Sequence, residues 1–344
     1  MSGTMKAAVL HMIGTPLKIE ALSIPTPKRG EVLIKVQACG VCHSDLHAVE
    51  GDWTPLPNLP LIPGHEVIGT VASPGDGVEH FRTGDRIGVP WLYSACGHCE
   101  FCLSGMETIC LQAEATGYSK PGGYAEYMIA DAGFCGRIPA HADAYELAPI
   151  LCAGVTTYRG LKRTGVRPGQ WVTVIGIGGL GHVAVQYARA MGMRVAAVDV
   201  ADDKLALAKS CGAEILVNAK TDNPGSVIHG KIGGSHGAVV TAVSAKAFEQ
   251  SVAVLRNGGT VSWIGLPGGK QDELRLTISS IVNGELSVRG SNVGTRQDLQ
   301  EAVDFAANGL VKSRIEKQPL EEINAIFARL KKGQVTGRVV LALP

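Results

Sequence analysis

Apolar and polar positions alternate in several short runs through the first part of the chain: MKAAVL from Met5, EVLIKVQAC from Glu31, EVIGTVAS from Glu66, DRIGVP from Asp85 and YAEYMIA from Tyr124. A period of two, carried by Val and Ile, predicts half-buried strands. The stretches between them, IPTPKRG, PLPNLPLIPG and SPGDG, are built from the residues that set turns. This combination predicts an irregular antiparallel barrel or sandwich.

The pattern changes near residue 150. LCAGVTTYRGLKRTG reads as a helix, QWVTVIG as a buried strand, and a helix follows from about Leu180 to Met191. RVAAVDV, AEILVN, GAVVTAV and GTVSWIG continue as strands, with ADDKLALAKSCG and SAKAFEQSVAVLRNG as helices between them and LSVRGS as a last strand. Near-continuous apolar strands alternating with amphipathic helices predict a doubly wound parallel sheet covered on both faces. Helices at Gln297–Asn308 and Leu320–Leu330 and a terminal strand, TGRVVLALP, are expected to return to the first domain. The division read from the sequence is a domain over 1–152, joined by 292–344, and a second over 153–291.

Composition narrows the function classes. Charged residues make up 18% and the formal net charge is +1, so no global field draws in nucleic acid or an anionic membrane. No run approaches the roughly 20 apolar residues needed to span a bilayer, and the opening segment lacks a signal-peptide core. A soluble cytoplasmic protein is expected. Thiols stay reduced there, so nine cysteines call for a reason other than disulfides.

VIGIGGLG places Gly176, Gly178 and Gly181 in the G-x-G-x-x-G spacing, with Gly179 and Leu180 completing the turn. The spacing alone is a weak signal in a glycine-rich chain. Between a strand and a helix it acquires a mechanism: a tight turn, close backbone approach to a pyrophosphate, and helix N–H groups facing the phosphates. Asp199 ends the next strand. Its carboxylate would accept from both ribose hydroxyls of NAD and repel the extra phosphate of NADP. Lys204 could flank the adenosine ribose or be an ordinary exposed helix charge.

CGHCEFCLSGMETIC supplies Cys96, Cys99, Cys102 and Cys110. Four soft thiolates at short spacing suit a closed, tetrahedral structural zinc. An iron–sulfur cluster is the rival, and four unliganded cysteines the bland alternative. A second metal site would need three protein ligands and an open position. Cys42 in GVCHSDLHA, His65 in PGHEVIG and Cys152 in LCAG are the candidates, though each taken singly could be a satisfied core residue.

GVCHSDLHA, IPGHEVIGTV, CGHCEFC…C, GGYAEY, LCAGVTTY, VIGIGGLGH and TGRVV stand in the order seen in zinc-dependent medium-chain alcohol dehydrogenases, and the chain resembles that family over nearly its whole length. It is most similar to the microbial type acting on ethanol and other primary alcohols, and less so to the sorbitol, cinnamyl-alcohol and secondary-alcohol branches. The resemblance implies a GroES-like catalytic domain and a Rossmann cofactor domain. It implies Cys42, His65 and Cys152 as catalytic zinc ligands, Glu66 as an acidic neighbour behind the metal, and Asp45 as the carboxylate orienting His65. It further implies Ser44 as the substrate-oxygen contact and His47 as the end of a proton relay. His43 and Arg338 fall at the pyrophosphate contacts and Thr156 near the nicotinamide. Trp53 and Trp91 match residues that narrow the alcohol pocket, unless they serve only packing. The expected activity is the NAD-dependent interconversion of short primary alcohols and aldehydes, with two zinc ions per chain. An aryl or secondary alcohol dehydrogenase is the alternative. A homotetramer is implied, with a dimer as the alternative.

Overall fold

A computed structural model describes residues 3–267 and 273–344. Its chain forms two compact units. One comprises Met1–Cys152, Gly294–Ala307 and Ser313–Pro344; the other comprises Ala153–Val293 and Asn308–Lys312.

The first unit starts with β1 (Thr4–Val9) and β2 (Lys18–Ser23), an antiparallel pair. Then come β3 (Glu31–Val41), α1 (His43–Glu50), β4 (Glu66–Pro74), β5 (Arg86–Val89), β6 (Leu92–Ser94), α2 (Glu100–Leu103), β7 (Glu114–Ala115), β8 (Tyr127–Asp131), β9 (Gly136–Arg137) and α3 (Ala144–Leu147). The second unit holds α4 (Ala153–Thr164), β10 (Trp171–Ile175), α5 (Gly181–Ala190), β11 (Arg194–Asp199), α6 (Asp202–Ser210), β12 (Ile215–Asn218), α7 (Pro224–Ile232), β13 (Ser235–Val240), α8 (Ala245–Ala253), β14 (Leu255–Trp263), α9 (Ile278–Asn283) and β15 (Ser287–Gly290). The chain returns to the first unit with α10 (Arg296–Ala307), β16 (Ile315–Pro319), α11 (Ile323–Lys331) and β17 (Arg338–Ala342).

In the first unit, a seven-stranded sheet runs β16-β17-β3-β4-β5-β9, with β8 also on β3. One edge of β3 is shared. Residues Glu31–Lys35 pair with β8, and Ala38–Val41 pair with β17. The neighbours are antiparallel, as the alternation predicts, except β16–β17, which is parallel. Val32, Ile34, Val36, Val67, Val71, Ile87, Val339 and Leu341 fill the core, joined by Ile323, Ile326 and Phe327 of α11.

In the second unit, the sheet order is β12-β11-β10-β13-β14-β15, all parallel. Strand order reverses beside β10, which places the topological switch point at its C-terminal end. Val172, Val174, Val195–Val198 and Ala238–Val240 are fully or nearly fully buried, the mark of a sheet covered on both faces.

Three local readings differ from the sequence expectation. The helix expected across SAKAFEQSVAVLRNG stops at Ala253, and Leu255 begins β14. Its apolar VAVL run serves either state, and pairing with β13 decides. Strands β2 and β16 carry charged, largely exposed faces, so no alternation announces them. The GVCHSDLHA stretch, to which the sequence reading gives no secondary structure, is mostly helix.

Candidate active site

Helix α1 begins where β3 ends. Cys42 is its extended N-cap residue, with φ −115° and ψ 157°. Asp45 lies in the first turn, and its Oδ2 accepts the Cys42 backbone N–H at 2.9 Å, capping the helix with the acid favoured at an N-terminus. Gly51, left-handed at φ 73°, ends it. The same Asp45 carboxylate turns outward from its helix: Oδ1 accepts from Gly64 N–H at 3.2 Å and from His65 Nδ1 at 2.7 Å. Helix cap and imidazole orientation are therefore one construction.

That construction brings His65 to Cys42. Cys42, His65, Glu66 and Cys152 each offer a donor atom, all within 4.8 Å of one another, and all four residues are buried. Among the described residues, His65 Nε2 has no hydrogen-bond partner, and neither does Glu66 Oε2. A buried imidazole nitrogen with nothing to bond is costly unless a ligand takes it. Two thiols plus that nitrogen form the donor set of an open zinc site, so the residues fit the metal. The electrostatics agree. Cys42 is held well below the ordinary thiol range, first by a hydrogen bond from Cys152, then by Arg338 and His65 against the opposing effect of burial. Burial alone would pull His65 down, yet Asp45 and Cys42 together push it well up. Burial pushes Glu66 up to about 7 against the pull of Arg338. The Arg338 guanidinium, itself buried, donates to Glu66 Oε1, an ion pair that the sequence reading did not anticipate.

Around this cluster, Ser44 Oγ lies 3.7 Å from Cys42 Sγ. His47, on the next turn of α1, has its Nδ1 2.7 Å from Asp52 Oδ2. Trp91 meets the His65 ring edge-on at 4.9 Å, Trp53 sits 6.2 Å from Trp91, and Trp53 also packs 4.9 Å from His47. Tyr118, unremarked in the sequence, touches both indoles. His43, the first residue of α1, is exposed.

The four-cysteine loop is a separate site. Cys96, Cys99, Cys102 and Cys110 also gather within 4.8 Å, with the Sγ atoms of Cys96 and Cys102 3.9 Å apart. Backbone N–H groups of Cys99 and Gln112 point at the sulfurs of Cys96 and Cys110. Such N–H donors stabilise thiolate, and Cys96 is lowered to about 6, chiefly by the backbone N–H groups of His98 and Cys99. Glu107 ties the loop down. Its carboxylate receives the Arg296 side chain at 2.8–3.2 Å and the Arg296 backbone N–H at 2.8 Å, at the start of α10.

In the second unit, Gly176 adopts φ +91° after β10. A Cβ on Gly181 would lie 1.9 Å from the Gly176 carbonyl oxygen, so only glycine allows α5 to start this close to the strand. Leu180 is the N-cap of α5 and Gly179 precedes it in the turn. Thr241 Oγ1, missed in the sequence, donates to Gly176 O at 2.6 Å. Asp199 ends β11 and reaches back to the turn: Oδ2 accepts from Ile177 N–H at 2.6 Å, and Oδ1 from Val200 N–H at 2.7 Å. Lys204 pairs with Asp203 at 3.7 Å, and Thr156 is buried in α4.

Residues 28–140 match the family described as the alcohol dehydrogenase GroES-like domain, and residues 179–308 the zinc-binding dehydrogenase family. The chain is 55% identical to an alcohol dehydrogenase of Moraxella sp. (strain TAE123), over 98% of this chain and 99% of that one. It is 54% identical to an alcohol dehydrogenase of Geobacillus stearothermophilus, with the same coverage. Among solved structures, the alcohol dehydrogenase of the hyperthermophilic archaeon Aeropyrum pernix superposes with a TM-score of 0.88 at 34% identity, covering 98% of this chain and 99% of that one. With its buried cysteine–histidine cluster, four-cysteine loop and glycine turn, the chain belongs to the zinc-dependent medium-chain alcohol dehydrogenase family.

Proposed function

We propose that this alcohol dehydrogenase interconverts short primary alcohols and aldehydes with NAD, holding one zinc ion on Cys42, His65 and Cys152 and a second on Cys96, Cys99, Cys102 and Cys110. The observation that carries the reading is the convergence of three donors from distant segments, with His65 Nε2 buried and unpartnered. When bound, zinc supplies a Lewis acid for the substrate oxygen, and the nicotinamide supplies a hydride acceptor.

The remaining work falls to the chain. Asp45 fixes the His65 tautomer by taking its Nδ1–H, leaving Nε2 as the ligating nitrogen. Ser44 is placed beside Cys42 to hydrogen-bond the alcohol hydroxyl and pass its proton onward. His47 receives the proton on the nitrogen that Asp52 does not occupy. Trp91, edge-on to His65, and Trp53, which packs against Trp91, would favour a short chain and oppose branching next to the reacting carbon. Asp199 stands at the end of β11 as the acceptor for the ribose hydroxyls, with Val200 rather than an arginine after it, which favours NAD. Gly176–Gly181 and the α5 N-terminus receive the pyrophosphate, with His43 and Arg338 as its further contacts. Thr156 borders the nicotinamide and Lys204 the adenosine ribose. Glu66 backs the metal, and the chain assembles as a homotetramer.

Metal analysis of the purified protein tests the centre of this reading: two zinc ions per chain are expected. Cys42→Ser and Cys152→Ser should each abolish turnover while the four-cysteine loop keeps its zinc. Wild-type-like rates in either variant would overturn the ligand assignment. Initial rates on ethanol, 2-propanol, sorbitol and cinnamyl alcohol, with NAD and NADP, test the substrate and cofactor assignments.

A further inference from the structure

Tyr124 is among the largest fully buried side chains in the protein and has no place in the chemistry above. Its hydroxyl donates to Asp45 Oδ2 at 2.8 Å. Asp45 thereby accepts four hydrogen bonds, two on each oxygen: Cys42 N–H and Tyr124 O–H on Oδ2, Gly64 N–H and His65 Nδ1 on Oδ1. A buried carboxylate so surrounded has its lone pairs in use and little freedom to turn. Tyr124 alone among the four donors comes from outside the two segments that carry Cys42 and His65.

The backbone is shaped to admit this ring. Gly64, next to His65, has φ +99°, and a Cβ there would lie 2.5 Å from Tyr124 Cδ1 and 2.9 Å from Cys39 Sγ. The Tyr124 backbone joins the same region, with its N–H donating to Pro63 O at 3.0 Å and its carbonyl accepting from Ala8 N–H at 2.8 Å. The Gly-His dipeptide is thus clamped on one side by the ring and on the other by the carboxylate that the ring's hydroxyl holds.

We infer that Tyr124 is a positioning residue for the metal centre: its hydroxyl fixes Asp45, and through Asp45 the direction of His65 Nε2. This inference rests on the proposed zinc site at Cys42, His65 and Cys152. Outer partners of metal-bound histidines typically change metal affinity by about 10–100-fold when removed. Asp45 keeps three other donors, so the lower end of that range is expected.

Tyr124→Phe removes a single oxygen and retains the packed ring. Zinc release to a chelator would be followed in the wild type, Tyr124→Phe, Asp45→Ala and the double variant, with the four-cysteine loop as an internal control in each. The expected result is zinc held about tenfold less tightly at the Cys42 site in Tyr124→Phe. The loop zinc should be unchanged, and the visible spectrum of the cobalt-substituted site should shift. In the Asp45→Ala background the tyrosine substitution should cost no further zinc affinity, because its route is gone. The inference is overturned if Tyr124→Phe holds zinc at that site as well as the wild type does. It is equally overturned if both sites loosen together as the protein melts earlier, or if the effect persists in Asp45→Ala. A wild-type protein with zinc only in the cysteine loop would bring down the metal-site reading itself, and this inference with it, before any variant is compared.

Discussion

Gly40 lies opposite Glu66 in the β3–β4 register, two residues before Cys42, and gives a sharp test of how tightly this region is packed. A Cβ built there lies 1.8 Å from Glu66 Oε2 and 2.9 Å from both Glu66 Cβ and Cδ. Carbon atoms rest at roughly 3.5–4.0 Å, so the carbon contacts alone are more than half an ångström too close. Rotating the carboxylate relieves the oxygen clash. It does not relieve the contact with Glu66 Cβ, which is tied to a strand paired on both sides. Gly40→Ala must therefore part the strands or push Glu66 off Arg338. Overpacking of this kind costs about 1–3 kcal/mol, and breaking a buried ion pair about 3–5 kcal/mol. A loss on the order of 4 kcal/mol is expected, a large share of the ~5–15 kcal/mol that holds a typical fold. Melting followed by tryptophan fluorescence should show a clear drop, with kcat falling as Cys42 shifts. Gly290→Ala, where an added Cβ meets nothing within 4 Å, is the control and should stay within about 0.5 kcal/mol. A Gly40→Ala protein as heat-stable and active as the control would refute the packing argument.

Further outcomes are expected. Cys99→Ser should halve the zinc content and lower the melting temperature, because the loop around it has little core of its own; unchanged zinc content would contradict this. Asp199→Gly should raise activity with NADP relative to NAD, read from the ratio of kcat/KM for the two cofactors; an unaltered ratio would remove Asp199 from cofactor choice. Glu316 is held down to about 2, chiefly by hydrogen bonding to Arg329 and Gln318. A depressed carboxylate stabilises above its unfolded value of roughly 4.3 and loses that contribution as pH falls towards its folded one. Glu316→Gln should therefore melt earlier than wild type at pH 7, with the difference closing between about pH 4 and pH 2. An unvarying difference would show that the ion pair is not its source.

Much of this was legible in the sequence because the signals are local. Near-continuous apolar strands announce the parallel sheet, and two short cysteine gaps closed by a more distant fourth cysteine announce the loop site. The glycine turn is readable because its strand and helix flank it. Helix α1 was harder to see, since it buries an aspartate beside Leu46, Ala48 and Val49 and shows no plain apolar stripe. The least visible were partnerships that close over distance. Asp52 reaches His47 only because Gly51 turns the chain back, and no helical spacing signals that. Tyr124 meets Asp45 from 79 residues away, and Arg338 meets Glu66 from 272. In a one-dimensional reading Tyr124 is an ordinary core tyrosine, and nothing near Arg338 in the sequence points to Glu66.

The position of β17 has a consequence for biosynthesis. It pairs with the Ala38–Val41 end of β3, immediately before Cys42, yet the whole of the second unit is made between the two strands. A nascent chain that has released only its first 152 residues carries an unzipped seam beside Cys42. The second unit, whose strands are contiguous in sequence, can fold in the meantime. The seam shuts only once β17 itself has been made. Premature termination just short of Arg338 would thus leave a sticky strand edge, and quality-control machinery would meet such products as aggregation-prone intermediates rather than as slightly shortened enzymes.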